Sequence, residues 1–218
     1  MSLAIFDLDN TLLGGDSDHA WGEFLIEKSL VGRDAFKESN DYFYQQYLEG
    51  KLDIHAYIAF AIEPMTRISD KRLAQLQQEF MQHHIHPIML PKAAELLASH
   101  REKGDYLLII TATNSIVTAP IAKLLEVDDL IATNPEKIDG RYTGKIDGVP
   151  SYQEGKVVRL NEWLKGKHMD LKGSVFYSDS HNDIPLLEKV DRAVAVDPDE
   201  ELERFAKNKN WEVISLRA

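Results

Sequence analysis

The stretch Leu3-Ala4-Ile5-Phe6-Asp7-Leu8-Asp9-Asn10-Thr11 decides how the rest of the chain is read. Its four leading apolar residues are too few for a membrane span or an independent helix, and suit a short strand buried on both faces. The strand runs directly into two aspartates two positions apart. Side chains alternate along extended backbone, so both carboxylates point the same way. Carboxylates that close repel unless a cation or a shared proton relieves them. An EF-hand loop fits poorly: its sixth position, which wants Gly, is Leu12, and the preceding element is a strand rather than a helix. A calcium-binding or turn-capping pair stays open at this level.

Downstream, residues from about 15 to 88 read as helix throughout. Ile54, Tyr57, Ile58, Ala61 and Ile62 share one helical face, as do Leu73, Leu76 and Phe80, and earlier Trp21, Phe24 and Leu25. Ser69 or Asp70 can cap the second of these helices. The texture changes at Pro87 and Pro91, and Pro91 suits a first helical turn. Strands and helices then alternate. Strands are expected at 105–110, 130–132, 175–177, 193–196 and 211–214, with helices at 116–125, 152–164, 186–189 and 200–206 between or after them. Asp139-Gly140 supplies a hairpin turn. This pattern predicts an α/β fold: a doubly wound parallel sheet with a helical insertion after its first strand. Residues 1–14 and 88–218 are expected to form a discontinuous core, and 15–87 a helical cap. Ligands of such sheets bind beyond the carboxyl ends of the strands.

Composition narrows the function. The chain has 218 residues, enough for one sizeable core with a modest insertion. Lys and Arg number 25 against 36 Asp and Glu, a formal net charge of −11, so a nucleic-acid partner is not expected. No long apolar run and no secretory signal is visible, and the absence of cysteine fits a reducing, cytoplasmic setting. A membrane association and an obligate protein partner are likewise not expected.

The other strand ends carry polar residues. The strand at 105–110 leads into Thr111-Ala112-Thr113-Asn114, where a hydroxyl and the amides entering a helix suit an anionic oxygen. An ordinary helix cap reads the same way. Lys156 follows Gly155 at a helix start, where a solvated lysine is the bland alternative. Val175-Phe176-Tyr177 runs into Ser178-Asp179-Ser180-His181-Asn182-Asp183, two acids four apart. Each is unremarkable singly; their order and placement after strands are not.

Together these residues resemble the haloacid dehalogenase-like superfamily, nearest its phosphoserine-phosphatase-like branch with a helical cap. Phe6 to Leu12 matches the first motif of that family, Thr111 the second, Lys156 the third, and Ser178-Asp179 through Asn182-Asp183 the fourth. The resemblance implies phosphomonoester hydrolysis on a small phosphorylated metabolite, through an aspartyl phosphate and with Mg²⁺. Asp7 would be the nucleophile and Asp9 the general acid and base. Thr111, Lys156 and Asn182 would bind the phosphoryl group. Asp7, the backbone carbonyl of Asp9 and Asp179 would hold the metal, with Asp183 holding a metal-bound water.

Specificity would lie in the insertion. Asp16 stands where phosphoserine-specific relatives carry an acid for the substrate ammonium. After Glu49-Gly50-Lys51-Leu52 those relatives place an arginine for the substrate carboxylate, and here that position is Ala59. The departure favours an amino phosphate without a carboxylate, such as histidinol phosphate. A phosphomutase or phosphotransferase of the same superfamily is the alternative, and a non-catalytic phospho-acceptor module a more distant one. A dehalogenase has no use for the second aspartate. His83, His84 and His86 invite a zinc reading, against which stands an ordinary polar helix end without a full ligand set.

Overall fold

In the computed structural model, which describes residues 2–217, the sheet grows outward from β1 (Leu3–Phe6). This strand pairs in parallel with β2 (Tyr106–Asn114) on one side and β6 (Val175–Ser178) on the other. Beyond β2 lies β3 (Asp129–Thr133); beyond β6 lie β7 (Arg192–Val196) and β8 (Glu212–Ile214). All six strands are parallel. The strand order reverses direction between β1 and β6, and that switch point opens a crevice at the carboxyl ends.

Alternation along β1 divides the core. Ala4 and Phe6 join one apolar cluster with α5 (Pro91–Glu102) and α6 (Ser115–Leu124), through Ala93, Leu97, Ile116 and Ile121. Leu3 and Ile5 join the other, with Leu160 and Leu164 of α7 (Glu154–Lys167), Leu186 and Leu187 of the short helix α8 (Ile184–Leu187), and Leu202 and Ala206 of α9 (Glu200–Lys209). The sheet is thus covered on both faces, which is why its strands are apolar throughout rather than alternating. Pro91 opens α5, as its fixed φ and missing N–H allow.

One buried polar chain ties α5 to the sheet. His100 is hydrogen-bonded through Nδ1 to Asp105 (2.8 Å) and through Nε2 to the Tyr177 hydroxyl (2.9 Å), while Phe6 stacks on Tyr177 with centroids 5.1 Å apart. Tyr177→Phe keeps the stack and strands a buried imidazole nitrogen. It should lower unfolding free energy by about 1–3 kcal/mol in a denaturant titration, with activity retained.

Between β1 and β2 the chain forms α1 (Ser17–Glu27), α2 (Arg33–Leu48), α3 (Ile54–Ile62) and α4 (Asp70–Phe80). Ser69 caps α4 with its hydroxyl on Arg72 N. Trp21, Phe24 and Phe80 pack their rings together, joining α1 to α4. His84 follows in the same stack, its ring 5.4 Å from Phe80 and its Nε2 3.1 Å from Glu27, so it serves packing. The expected hairpin forms as β4 (Pro135–Ile138) and β5 (Arg141–Ile146). Its turn places Asp139 at φ 49° and Gly140 at φ 76°, a left-handed pair that matches strand twist.

Three sequence expectations are modified. β2 runs on through Asn114, not Ile110, because its register against β3 shifts between those residues. Thr111 therefore stands in the strand end, and α6 takes its cap from Asn114, whose Oδ1 accepts from Ile116 N. The β4–β5 hairpin, placed by sequence within the core segment 88–218, packs against α3 and residues 63–67 of the insertion, with Tyr142 and Ile146 turned to the apolar cluster. Not all of the helical stripe on α3 is core: Ile58, Ala61 and Ile62 are buried, while Ile54 and Tyr57 face a cavity.

Candidate active site

A cavity lies beyond the carboxyl ends of β1 and β2 and is roofed by α1–α3. Asp7 and Asp9 form its floor together with Thr111 and Thr113. Asp7 leaves β1 with its N–H bonded to Tyr177 O, which fixes the chain at the switch point.

Lys156 is the organising cation. It is 2% exposed, and its Nζ lies 2.7 Å from Asp7 Oδ1 and 2.7 Å from Asp183 Oδ1. The loop before α7 is folded tightly enough to seat it: a Cβ on Gly155 would stand 2.1 Å from Pro150 O, so only glycine fits there. Gln153, the residue before α7, has a positive φ of 48°, which is uncommon for a residue other than glycine. The two carboxylates hold the Lys156 ammonium well above its usual range despite burial.

Asp179 follows β6. Its Oδ1 accepts from the Thr11 hydroxyl (2.8 Å), and its own N–H donates to the same hydroxyl (3.0 Å). Asp183 takes up Lys156 and the Ser178 hydroxyl (2.7 Å). Asp9 accepts from Ser17 N (2.6 Å) and from the Thr113 hydroxyl (2.7 Å).

Burial dominates the electrostatics of these acids. It pushes Asp7 up to about 7, against the opposing pull of Lys156 and with help from the charge of Asp183. Asp9 is likewise raised to about 7 by burial and by the charge of Asp16, its hydrogen bonds opposing. Asp179 is raised well above the carboxylate range by burial and by Asp7. Buried acids that repel one another through oxygen ligands are the donor set a small, hard divalent cation requires. Asp7 and Asp179 offer carboxylate oxygens that could hold such an ion.

Asp16 caps α1, its Oδ1 accepting from Asp18 N (2.9 Å) and His19 N (2.7 Å), and it lines the cavity. Two expectations change. Asn182, expected on the phosphoryl group, is occupied by the contact between insertion and core. Its Nδ2 donates to Tyr47 O (3.0 Å), and its Oδ1 accepts from the Tyr152 hydroxyl and Gln153 Nε2 (3.1 and 2.9 Å). Ala59 is exposed and does not line the cavity; Ile54 and Tyr57 are the residues α3 presents there.

Sequence reasoning assigned no role to Thr11, Ser178 and Thr113, though all three stand inside the motifs it quoted. A hydroxyl two residues from a catalytic-type acid is a usable signal, but its partner is decided by packing. The three histidines gather no metal-ligand set. Among the described residues the group with suitable spacing is His19, Glu23 and Asp41, and the Lys37 ammonium already sits 3.1 Å from both acids. No helix among the described residues is long and apolar enough to cross a membrane.

Known proteins match this arrangement over the whole chain. A histidinol-phosphatase of Neisseria meningitidis serogroup C is 45% identical over 220 residues, covering 99% of both chains. A protein of unknown function from Bordetella pertussis Tohama I superposes with a TM-score of 0.93 at 43% identity, over 99% of this chain and 98% of that one. A substrate-bound phosphoserine phosphatase shares the fold at a TM-score of 0.72 and 17% identity, over 99% and 93%. The family model for haloacid dehalogenase-like hydrolases matches residues 4–188, a span that includes Asp7, Thr111, Lys156, Asp179 and Asp183. The chain belongs to the haloacid dehalogenase-like hydrolase family and is an enzyme of that family.

Proposed function

We propose that the protein is a Mg²⁺-dependent phosphomonoesterase that works through an aspartyl phosphate on Asp7, and that its substrate is a small amino phosphate of the histidinol phosphate kind. The observation that carries this reading is the buried Lys156 ammonium joined at 2.7 Å to Asp7, which lines the cavity floor. A buried lysine there keeps one oxygen of Asp7 fixed and offsets the approach of a phosphate dianion.

In the first half-reaction an Asp7 carboxylate oxygen attacks phosphorus in line, and the bond from phosphorus to the ester oxygen breaks. Asp9, raised by burial and by the charge of Asp16, gives a proton to the departing alkoxide. The Thr113 hydroxyl suits either state of Asp9, donating to the carboxylate and accepting from the acid. In the second half-reaction Asp9 takes a proton from the attacking water, the acyl phosphate bond breaks, and inorganic phosphate leaves with Asp7 restored. Thr111 and Lys156 bind the phosphoryl oxygens. Asp7, the Asp9 carbonyl and Asp179 would hold Mg²⁺, with Asp183 behind them; the ion, when bound, neutralises charge at the phosphoryl group.

The substrate class rests on the cavity and on the Neisseria relative. Among the described residues that line the cavity, none is Lys or Arg, so a substrate carboxylate finds no partner there. Acids and aromatic rings line it instead, which suits an amine. Release of phosphate from histidinol phosphate, phosphoserine and an aryl phosphate tests the reading, with and without exhaustive chelation. Histidinol phosphate should lead, and chelation should abolish all three activities until Mg²⁺ is restored. Failure to hydrolyse any phosphomonoester would overturn the proposal; full activity after chelation would overturn its metal.

The same acids give a pH signature. Asp7 and Asp9 have folded pKa values above their unfolded ones, so the folded state binds more protons between the ordinary carboxylate range and about 7. Stability of the metal-free protein therefore falls as pH rises through that window. Mg²⁺ requires the ionised acids, so its stabilisation grows over the same window. Melting curves should show a larger Mg²⁺-induced rise in Tm at pH 8 than at pH 5.5. An equal rise at both would count against these acids as the ligands.

A further inference from the structure

Asp18 is a buried acid that the chemistry above does not use. A first-turn aspartate ordinarily helps a helix from solvent. This one is 9% exposed and lines the cavity. One of its oxygens accepts from Asn114 Nδ2 at 3.2 Å, and the Tyr57 hydroxyl lies beside it. Burial and the neighbouring Asp16 charge raise its carboxyl well above the usual range, so a positive group brought against it gains more than it would in water.

A second polar group faces the same space. Asn40 is 3% exposed and lines the cavity; its Nδ2 is spent on His19 O (3.1 Å), and its amide oxygen takes no hydrogen bond from a described residue. The amide lies flat over Gly22, where any Cβ would come within 2.5 Å of it, so its position is enforced by packing. Around these acceptors stand the rings of Phe43, Tyr44 and Tyr57. Acceptors framed by aromatic rings, with no cation among them, recognise a flat group that presents N–H donors and carries positive charge.

We propose that Asp18, with Asn40 and Tyr57, is the specificity-determining group that receives the ring N–H of an azole on the leaving group, separately from the aliphatic ammonium expected at Asp16. This rests on the reading of the enzyme as an amino phosphate phosphatase. It adds that the ring nitrogen, and not the amine alone, selects the substrate.

The test uses the intact enzyme with three phosphates: histidinol phosphate, which has amine and ring; phosphoethanolamine, which has the amine only; and phenyl phosphate, which has neither nitrogen. Histidinol itself is added as a competitive inhibitor. Asp18→Asn keeps the shape and removes the charge. It should lower the ratio of kcat/KM for histidinol phosphate over phosphoethanolamine by about 10–100-fold, with the loss in KM, and raise the Ki of histidinol by a similar factor. Tyr57→Phe should move the same ratio in the same direction, by several-fold, and covers the case in which Asp18→Asn does not fold. An unchanged ratio in a folded variant, or histidinol that binds wild type no better than ethanolamine, would overturn the proposal. Wild type inert toward all three phosphates would instead strike the underlying phosphatase reading, and the two failures are thereby told apart.

Discussion

Asp7→Asn should release phosphate about 10⁴–10⁶-fold more slowly than wild type, the scale on which loss of a nucleophile is felt. An amide oxygen of the same shape cannot form the acyl phosphate, so no phosphoenzyme should be trapped by acid quench. The loss should be chemical and not structural. Asp7 is a buried acid that burial raises to about 7, and the substitution removes a charge that Asp9 and Asp183 both oppose. Lys156 keeps its contact with Asp183 at 2.7 Å. Metal-free Asp7→Asn is therefore expected to melt at or above the wild-type temperature near pH 8. Asp9→Asn gives the contrast: with an aryl phosphate, whose leaving group needs little protonation, a phosphoenzyme should still form. Trapped phosphate on the Asp7→Asn protein would remove Asp7 from the nucleophile's role.

The second large effect is expected at Lys156. Replacing it with Met keeps the apolar stem and deletes the ammonium, leaving Asp7 and Asp183 facing each other in a site where both are buried. Breaking a buried pair by removing one partner costs about 3–5 kcal/mol. The loss should grow with pH, because Asp7 without its cation resists ionisation more strongly and its protonated form is the one the fold tolerates. Activity should fall by about 10³-fold or more, since nucleophile and phosphoryl oxygens lose the same cation. Arginine should not restore it. The residue is 2% exposed, and the Pro150 carbonyl against Gly155 leaves the loop no room to back away. Denaturant unfolding at pH 6 and pH 8, beside steady-state turnover, measures both parts. A variant within about 1 kcal/mol of wild type at both pH values would mean that the pair at 2.7 Å contributes far less than its burial implies.

Much of the fold was legible in the sequence, because the signals involved are local. A short apolar run ending in acids is a buried strand wherever it lies, and Asp139-Gly140 reaches the left-handed region with little tertiary help. The alternation of strand and helix after Pro91 fixes a parallel, doubly covered sheet, since a parallel strand must be reached by a crossover. That in turn places Asp7, Thr111 and Asp179 at one edge before any contact is known. The family motifs were legible for the same reason: each is a few residues long and stands at a strand end.

Tertiary structure alone decided what those residues touch. Ile54 and Ile58 belong to one helical stripe, yet one lines the cavity and the other is core, because periodicity reports which face is covered and not what covers it. Thr113 reaches Asp9 across 104 positions, and Lys156 reaches Asp7 across 149. Asn182, read by motif as a phosphate ligand, is instead spent on Tyr47 and Tyr152, which no local pattern could foretell. Asp18 is an acid in a first helical turn, and folding alone encloses it. Local sequence sets backbone preference and burial, both properties of a few neighbouring residues. Hydrogen-bond partners and the electrostatic state of a buried acid depend on groups brought together from across the chain, and these exist only once it has closed on itself.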